Sequence, residues 1–242
     1  MQSRISFVLV MSIAVLELAA ADPIEEAKKD IITKQGQIHA LAANLPHVIK
    51  VSEPGEMEIS TTDRGTVEYL KKAETVLFHE ETSTSGYLKE GDKKENVEGK
   101  TLLIFDGETL FMEQTENGEQ SVSKSKRSQE DLPLYFLDAG KTLGKGHPSL
   151  TLLPEETVNN RMVYVLQTVE SPGEFVVMGK MKLCFDKETG VLVKAEAFDS
   201  RGSLLSSREY TEIKINHEMD ENRFRYTPKE GVEIEDLDSP EN

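Results

Sequence analysis

TLLIFDGETLFMEQTENGEQSVSK, residues 101–124, decides the fold. Period-two patterning runs through 101–105, 108–113 and 119–124, as in strands with one buried face. Asp106-Gly107 and Asn117-Gly118 stand between them, and such pairs suit tight hairpin turns that need positive φ. The stretch predicts a three-stranded antiparallel meander. A two-residue loop at the first turn sets Phe105 opposite Glu108, Leu103 opposite Leu110 and Thr101 opposite Met112. Leu103, Phe105, Leu110 and Met112 then share one apolar face, and Leu102, Ile104 and Phe111 the other. Alternation alone leaves open which of the two points inward.

The same period continues on both sides. Residues 66–69 and 75–81 read as strands upstream, and 149–153, 162–168, 174–185, 191–198, 203–215 and 223–226 downstream. Thr189-Gly190 and Arg201-Gly202 mark turns between three of these. In 174–185, Phe175, Val177, Met181, Leu183 and Phe185 fall on one face, while Lys180 and Lys182 fall on the other. Residues 84–99 are polar and charged and read as a loop; 140–148, with Gly140, Gly144 and Gly146, read as a second. A short helix is expected within 128–139, limited by Pro133. The acidic end, 234–242, reads as a frayed tail.

Ahead of the strands lies a helix signal. Asp22 suits a cap, Pro23 the first helical position, and Glu25 and Glu26 the positive end. Ile24, Ala27, Ile31, Ile38, Leu41 and Leu45 recur at steps of three, four or seven, so one helix over 22–45 is expected, weakened at Gly36 and stopped by Pro46. The fold class is α+β, mostly β: one large curved antiparallel sheet with one amphipathic helix to cover it. The sheet either keeps an apolar concavity open for a ligand or closes on its own side chains.

Residues 1–21 read as a signal peptide. Arg4 gives a positive start, an apolar run from Ile5 to Leu16 follows, and Ala19-Ala20-Ala21 offers a cleavage site. The run is too short to span a bilayer core of about 30 Å. The expectation is a single domain over 22–233, soluble in the periplasm or another extracytoplasmic space, and not itself membrane-spanning. The formal net charge of −16 argues against nucleic acid as a partner. The single cysteine, Cys184, stands among apolar strand residues and reads as an inert thiol.

Chemistry-bearing patterns are sparse. His39, His47, His79, His147 and His217 show no metal-ligand spacing, and no nucleophile elbow or phosphate-binding loop appears. Acid pairs such as Glu155-Glu156 are expected by chance in so acidic a chain. No catalytic residue, metal or cofactor is expected, and the chain reads as a binding protein rather than an enzyme.

Two stretches carry a family resemblance. LCFDKETGVLVKAEAFDSRGSLLSSREYTEIKINHEMDENRFRY, residues 183–226, and GKTLLIFDGETLFMEQ, residues 99–114, resemble the LolA-like periplasmic lipoprotein carriers, the outer-membrane lipoprotein-sorting superfamily. The matching features are Phe185-Asp186 before Thr189-Gly190, then Asp199 with Gly202, Asn216, and Phe224 before Thr227-Pro228. The carriers have an Arg-Pro or similar pair where this chain has Lys71-Lys72-Ala73, so no gating arginine is carried over. The resemblance implies a half-open β barrel with a helical lid over an apolar cavity. It implies lipoproteins or lipid acyl chains as cargo and envelope membrane proteins as exchange partners. The lining would be Leu103, Phe105, Leu110, Met112, Phe175, Val177, Met181 and Leu183, with 84–99 and 140–148 as mobile loops. The alternative is a sensor or protein-interaction module of the same fold, without lipid transfer.

Overall fold

The computed structural model describes residues 22–53, 57–132, 134, 136–143, 150–169 and 178–239. The predicted signal peptide lies outside the described residues, as do Phe175 and Val177. The helix α1 spans Pro23–Gln35, and the Asp22 carboxylate caps it by accepting the Ile24 N–H at 3.1 Å. It stops at Gly36, short of the expected end. Ile38, Leu41 and Leu45 lie beyond it, and β1 runs from Ala40 to Glu53. Their steps of three and four fit a helix only as isolated points. Leu41, Ala43 and Leu45 also alternate at period two, and all three are buried on one face of the strand.

Pro46 therefore stands inside a strand instead of ending a helix. It sits where β1 changes neighbour, between pairing of Leu41–Asn44 with β12 (Thr211–Ile215) and of His47–Ile49 with β11 (Leu204–Glu209). A missing N–H there interrupts no ladder on that side.

The remaining strands are β2 (Met57–Lys72), β3 (Thr75–Glu90), β4 (Lys93–Phe105), β5 (Thr109–Glu116), β6 (Glu119–Lys126), β7 (Leu150–Val158), β8 (Arg161–Val169), β9 (Met178–Asp186), β10 (Leu192–Asp199) and β13 (Glu235–Asp236). Among the described residues they form one sheet ordered β13-β6-β5-β4-β3-β2-β1-β11-β10-β9-β8-β7, with β12 beside β1. Among the described residues no ladder joins the two end strands. The sheet is the half-open curved barrel expected, and α1 lies against its concave face.

Several local expectations are corrected. Residues 84–99 are not a loop: β3 and β4 continue through them, joined at Gly91-Asp92. These strands run past the core, so both faces meet water and the sequence loses its alternation. The Asp106-Gly107 turn pairs Phe105 with Leu110 and Leu103 with Met112, two residues from the expected register. The Asp106 carboxylate accepts the N–H groups of both Glu108 and Thr109, which lengthens the loop. A shift of two leaves each side chain on its expected face. Asn117 and Gly118 both have positive φ, and Glu116 pairs with Glu119 as the two-residue turn predicts.

Residues 223–226 are not a strand. Glu221–Phe224 is a 3₁₀ turn that buries Phe224. In 128–139 the described structure is a 3₁₀ turn at Gln129–Asp131 followed by the four-residue helix α2, Ala139–Thr142. The tail is tied down, because β13 pairs in parallel with Ser123 and Lys124 of β6.

Candidate binding site

Cross-strand register builds the concave floor. Leu41, Tyr69, Phe78, Phe105 and Leu110 stand in one row across β1 to β5. Ala43, Val67, Glu80, Leu103 and Met112 form the next. Leu183 and Phe185 on β9, Leu192 on β10 and Val191 just before it extend the apolar surface, and Ile31 of α1 rests on it with no exposed surface. The question alternation left open is answered: the Leu103 face lies under α1. The opposite face carries Ile104 and Phe111 and is covered by the C-terminal segment, with the Phe111 and Tyr226 rings stacked 5.1 Å apart.

The predicted lining residues within the described set share the concave side. Phe105 is 1% exposed and Leu183 2%, both inside the core. Leu103, Leu110 and Met181 are half-buried and pack against that core. Met112 is half-buried opposite Leu103 and stands outside the core cluster. Phe175 and Val177 lie outside the described residues. Burial pushes the Cys184 thiol up to about 11, which disfavours the reactive thiolate.

A second covering element crosses the floor. Leu132, Phe136, Ala139 and Leu143 are buried in the same core, with Leu134 and Leu137 packed beside them. The Phe136 ring meets Tyr210 at 5.3 Å. One buried side chain ties this lid to the rest. Gln35 donates from Nε2 to the Gly190 carbonyl at 2.9 Å and the Phe136 carbonyl at 3.3 Å, and its Oε1 accepts the Ala139 N–H at 2.8 Å. The Leu192 N–H also donates to Phe136 at 3.1 Å. Gly190 has φ +75°, and a Cβ there would lie 2.6 Å from the Ile31 carbonyl, so this turn admits the helix only as glycine. Gln35 escaped the sequence reading, which counted only apolar positions on the helix. Its place four residues after Ile31 was the available signal.

Further along the trough the surface turns polar. Asp63 accepts from the Thr84 hydroxyl at 2.8 Å and pairs with His47 Nδ1 at 3.0 Å. The bond from His47 is the largest influence holding its carboxyl below the usual range. Three clefts lined by described residues lie away from the predicted lining. One, of about 560 Å³, runs between Lys50, Ile59 and Tyr87 of the long hairpins and Arg201 and Leu204. Among the described residues, no group of three or more His, Cys, Asp or Glu side chains is placed to hold a metal ion. No described helix is long and apolar enough to cross a membrane.

No protein-family model matches the sequence, and no curated protein matches it. Solved structures do share its shape. An uncharacterized conserved protein from Thermus thermophilus is 14% identical over 89% of this chain and 99% of that one, with a TM-score of 0.50. MucB in the Pseudomonas aeruginosa MucA/MucB complex is 16% identical over 84% of this chain, at a TM-score of 0.45, and this chain spans 61% of that one. A putative outer membrane lipoprotein-sorting protein domain from Vibrio parahaemolyticus is 12% identical over 83% of this chain and 96% of that one, at a TM-score of 0.34. The first likeness shows a shared fold. The other two are looser overlays, and no conclusion rests on them.

Proposed function

We propose that the chain is an extracytoplasmic carrier or binding protein for lipoproteins or other acyl-bearing amphiphiles, and not an enzyme. The observation that carries this reading is the lid. Leu132, Phe136 and Leu143 lie on the concave floor as an acyl chain would, and Gln35 bonds this segment at the Phe136 carbonyl and the Ala139 N–H. Each such bond contributes roughly 1 kcal/mol net. Each buried methylene of a ligand contributes about 0.8 kcal/mol, and this gain must offset both those bonds and the burial of Leu132, Phe136 and Leu143 for a chain to take the lid's place. Half-buried Leu103, Leu110, Met112 and Met181 line the floor beside it, and methionine adapts to chains of varied shape. The leader motif and the resemblance to lipoprotein carriers support export and cargo of this class.

The test is a titration with a fatty acid bearing an environment-sensitive fluorophore. Saturable binding with blue-shifted emission is expected, together with faster hydrogen exchange at Ala139 and Leu143 as the lid lifts. Absence of saturable binding overturns the reading.

A protein-interaction module of the same fold is the second reading. It is favoured by the reach of the β1 to β4 hairpins beyond the core, where the cleft described above is rimmed by Leu204, 39% exposed. A partner captured by lipid-free protein, with no uptake of the probe, would support it.

A further inference from the structure

The concave face does not stay apolar along its length. Two residues beyond Leu45 on β1 stands His47, and register places Arg208 of β11, Asp63 of β2 and Thr84 of β3 in its row. Arg208 is also opposite Ala195, which packs on the concave core, so both belong to that face. Glu80 of β3 is opposite Leu103 and belongs there too.

These charged groups are not equivalent. Both oxygens of Asp63 are engaged, by His47 and by Thr84. Arg208 and Glu80 are half-buried, and neither makes an ion pair or a side-chain hydrogen bond among the described residues. Each lies within reach of the other's field. Burial pushes the Glu80 carboxyl above its usual range, and the Arg208 charge draws it back. Half-burying an unpaired guanidinium and an unpaired carboxylate costs free energy that folded proteins recover by pairing. Here the two are not paired with each other, and both stand on the face that carries the apolar floor.

We propose that Arg208 and Glu80 are the two poles of a head-group site, which receives a zwitterionic head with phosphate oxygens on Arg208 and a protonated amine on Glu80. The proposal rests on the carrier reading and names the class of amphiphile carried. A guanidinium fork matches phosphate oxygens in pairs, and a carboxylate matches an ammonium. A purely anionic head would satisfy Arg208 but leave Glu80 unpaired beside Asp63, in a chain of net charge −16. An uncharged head would leave both poles unmatched.

The experiment is displacement of the fluorescent fatty acid from the full chain by four competitors. Three share one acyl chain: lysophosphatidylethanolamine, lysophosphatidylglycerol and monoacylglycerol. The fourth is phosphoethanolamine without a chain. The zwitterionic lysolipid is expected to bind about tenfold more tightly than either other lipid, a difference of about 1.4 kcal/mol. Arg208→Gln should weaken both phospholipids about tenfold and leave monoacylglycerol unchanged. Arg208→Lys, which keeps the charge without the fork, should lie between. Glu80→Gln should remove the preference for the amine head alone. Equal binding of the three lipids, unmoved by either substitution, overturns the head-group site and leaves the carrier reading standing. Binding of phosphoethanolamine as tight as that of its lysolipid overturns the carrier reading, and the proposal with it.

Discussion

Gln35 donates from its carboxamide to the backbone carbonyl of Gly190 across 2.9 Å, joining the N-terminal helix to a turn 155 residues away in the chain. The same carboxamide accepts from Ala139 and donates to Phe136. Helix, turn and lid thus meet at one polar group inside an apolar core. Replacing it leaves buried backbone groups without partners, which costs more than the lost bonds themselves. Gln35→Leu should destabilise the fold by about 2–4 kcal/mol. It should also speed hydrogen exchange at Ala139 and Leu143 more than at core strands such as β10. Uniform loss across the molecule in urea titration and exchange would count against a lid that opens by itself.

The β2 and β3 backbones approach closely at Gly65. A Cβ there would lie 1.8 Å from the Glu81 carbonyl and 2.8 Å from Thr82 Cα, both backbone atoms that cannot step aside. Gly65→Ala is expected to cost more than about 3 kcal/mol, in the range of severe core lesions. Thermal unfolding measures it directly. A loss below about 1 kcal/mol would show that β2 and β3 can separate there without penalty.

Among the predicted lining residues, burial separates support from contact. Phe105 is enclosed, and Phe105→Ala should cost about 3–5 kcal/mol. Met112 is half-buried beside the core, so Met112→Ala should cost less than about 1.5 kcal/mol yet weaken uptake of the fluorescent fatty acid. Unfolding and binding titrations on the two variants should therefore rank them in opposite orders once Phe105→Ala is studied well below its melting point.

His79 gives the fold a pH response. Its Nδ1 is buried without a hydrogen-bond partner, 3.7 Å from the Glu68 carboxylate that also receives Arg223. Burial is the main influence and lowers its pKa; Glu68 opposes it and Arg223 adds to it. The unfolded chain then takes up the proton first as pH falls. The contribution of neutral His79 is complete above about 6.5, the ordinary histidine value, and is lost as pH drops from there toward the lower folded value. In urea titrations, the wild-type chain should lose stability relative to His79→Gln below that point. A difference that stays constant from pH 8 to pH 5 would contradict the assignment.

Turn chemistry and alternation carried most of the architecture. Asn117-Gly118 fixed its hairpin outright. Asp106-Gly107 failed by two residues because the Asp106 side chain built a longer loop, yet an even shift kept Leu103, Phe105, Leu110 and Met112 on one face. The helix was overread because Leu41 and Leu45 satisfy two periods at once, and only Gly36 and the strand neighbours decide between them. The long β3–β4 hairpin was missed because strands in water on both faces carry no apolar signature. The lid and the Arg208–Glu80 pair depend on contacts between segments far apart in sequence, such as His47 with Arg208, that local pattern does not encode.

On this reading, acyl chains take the lid's place on the concave floor. Protein purified from its native host, extracted with organic solvent and analysed by mass spectrometry, tests this most directly. The account predicts close to one acyl-bearing amphiphile per chain, reduced when Met112→Ala is handled in parallel. Lipid-free extracts, from protein whose lid exchange is unchanged by added lysolipid, would contradict it.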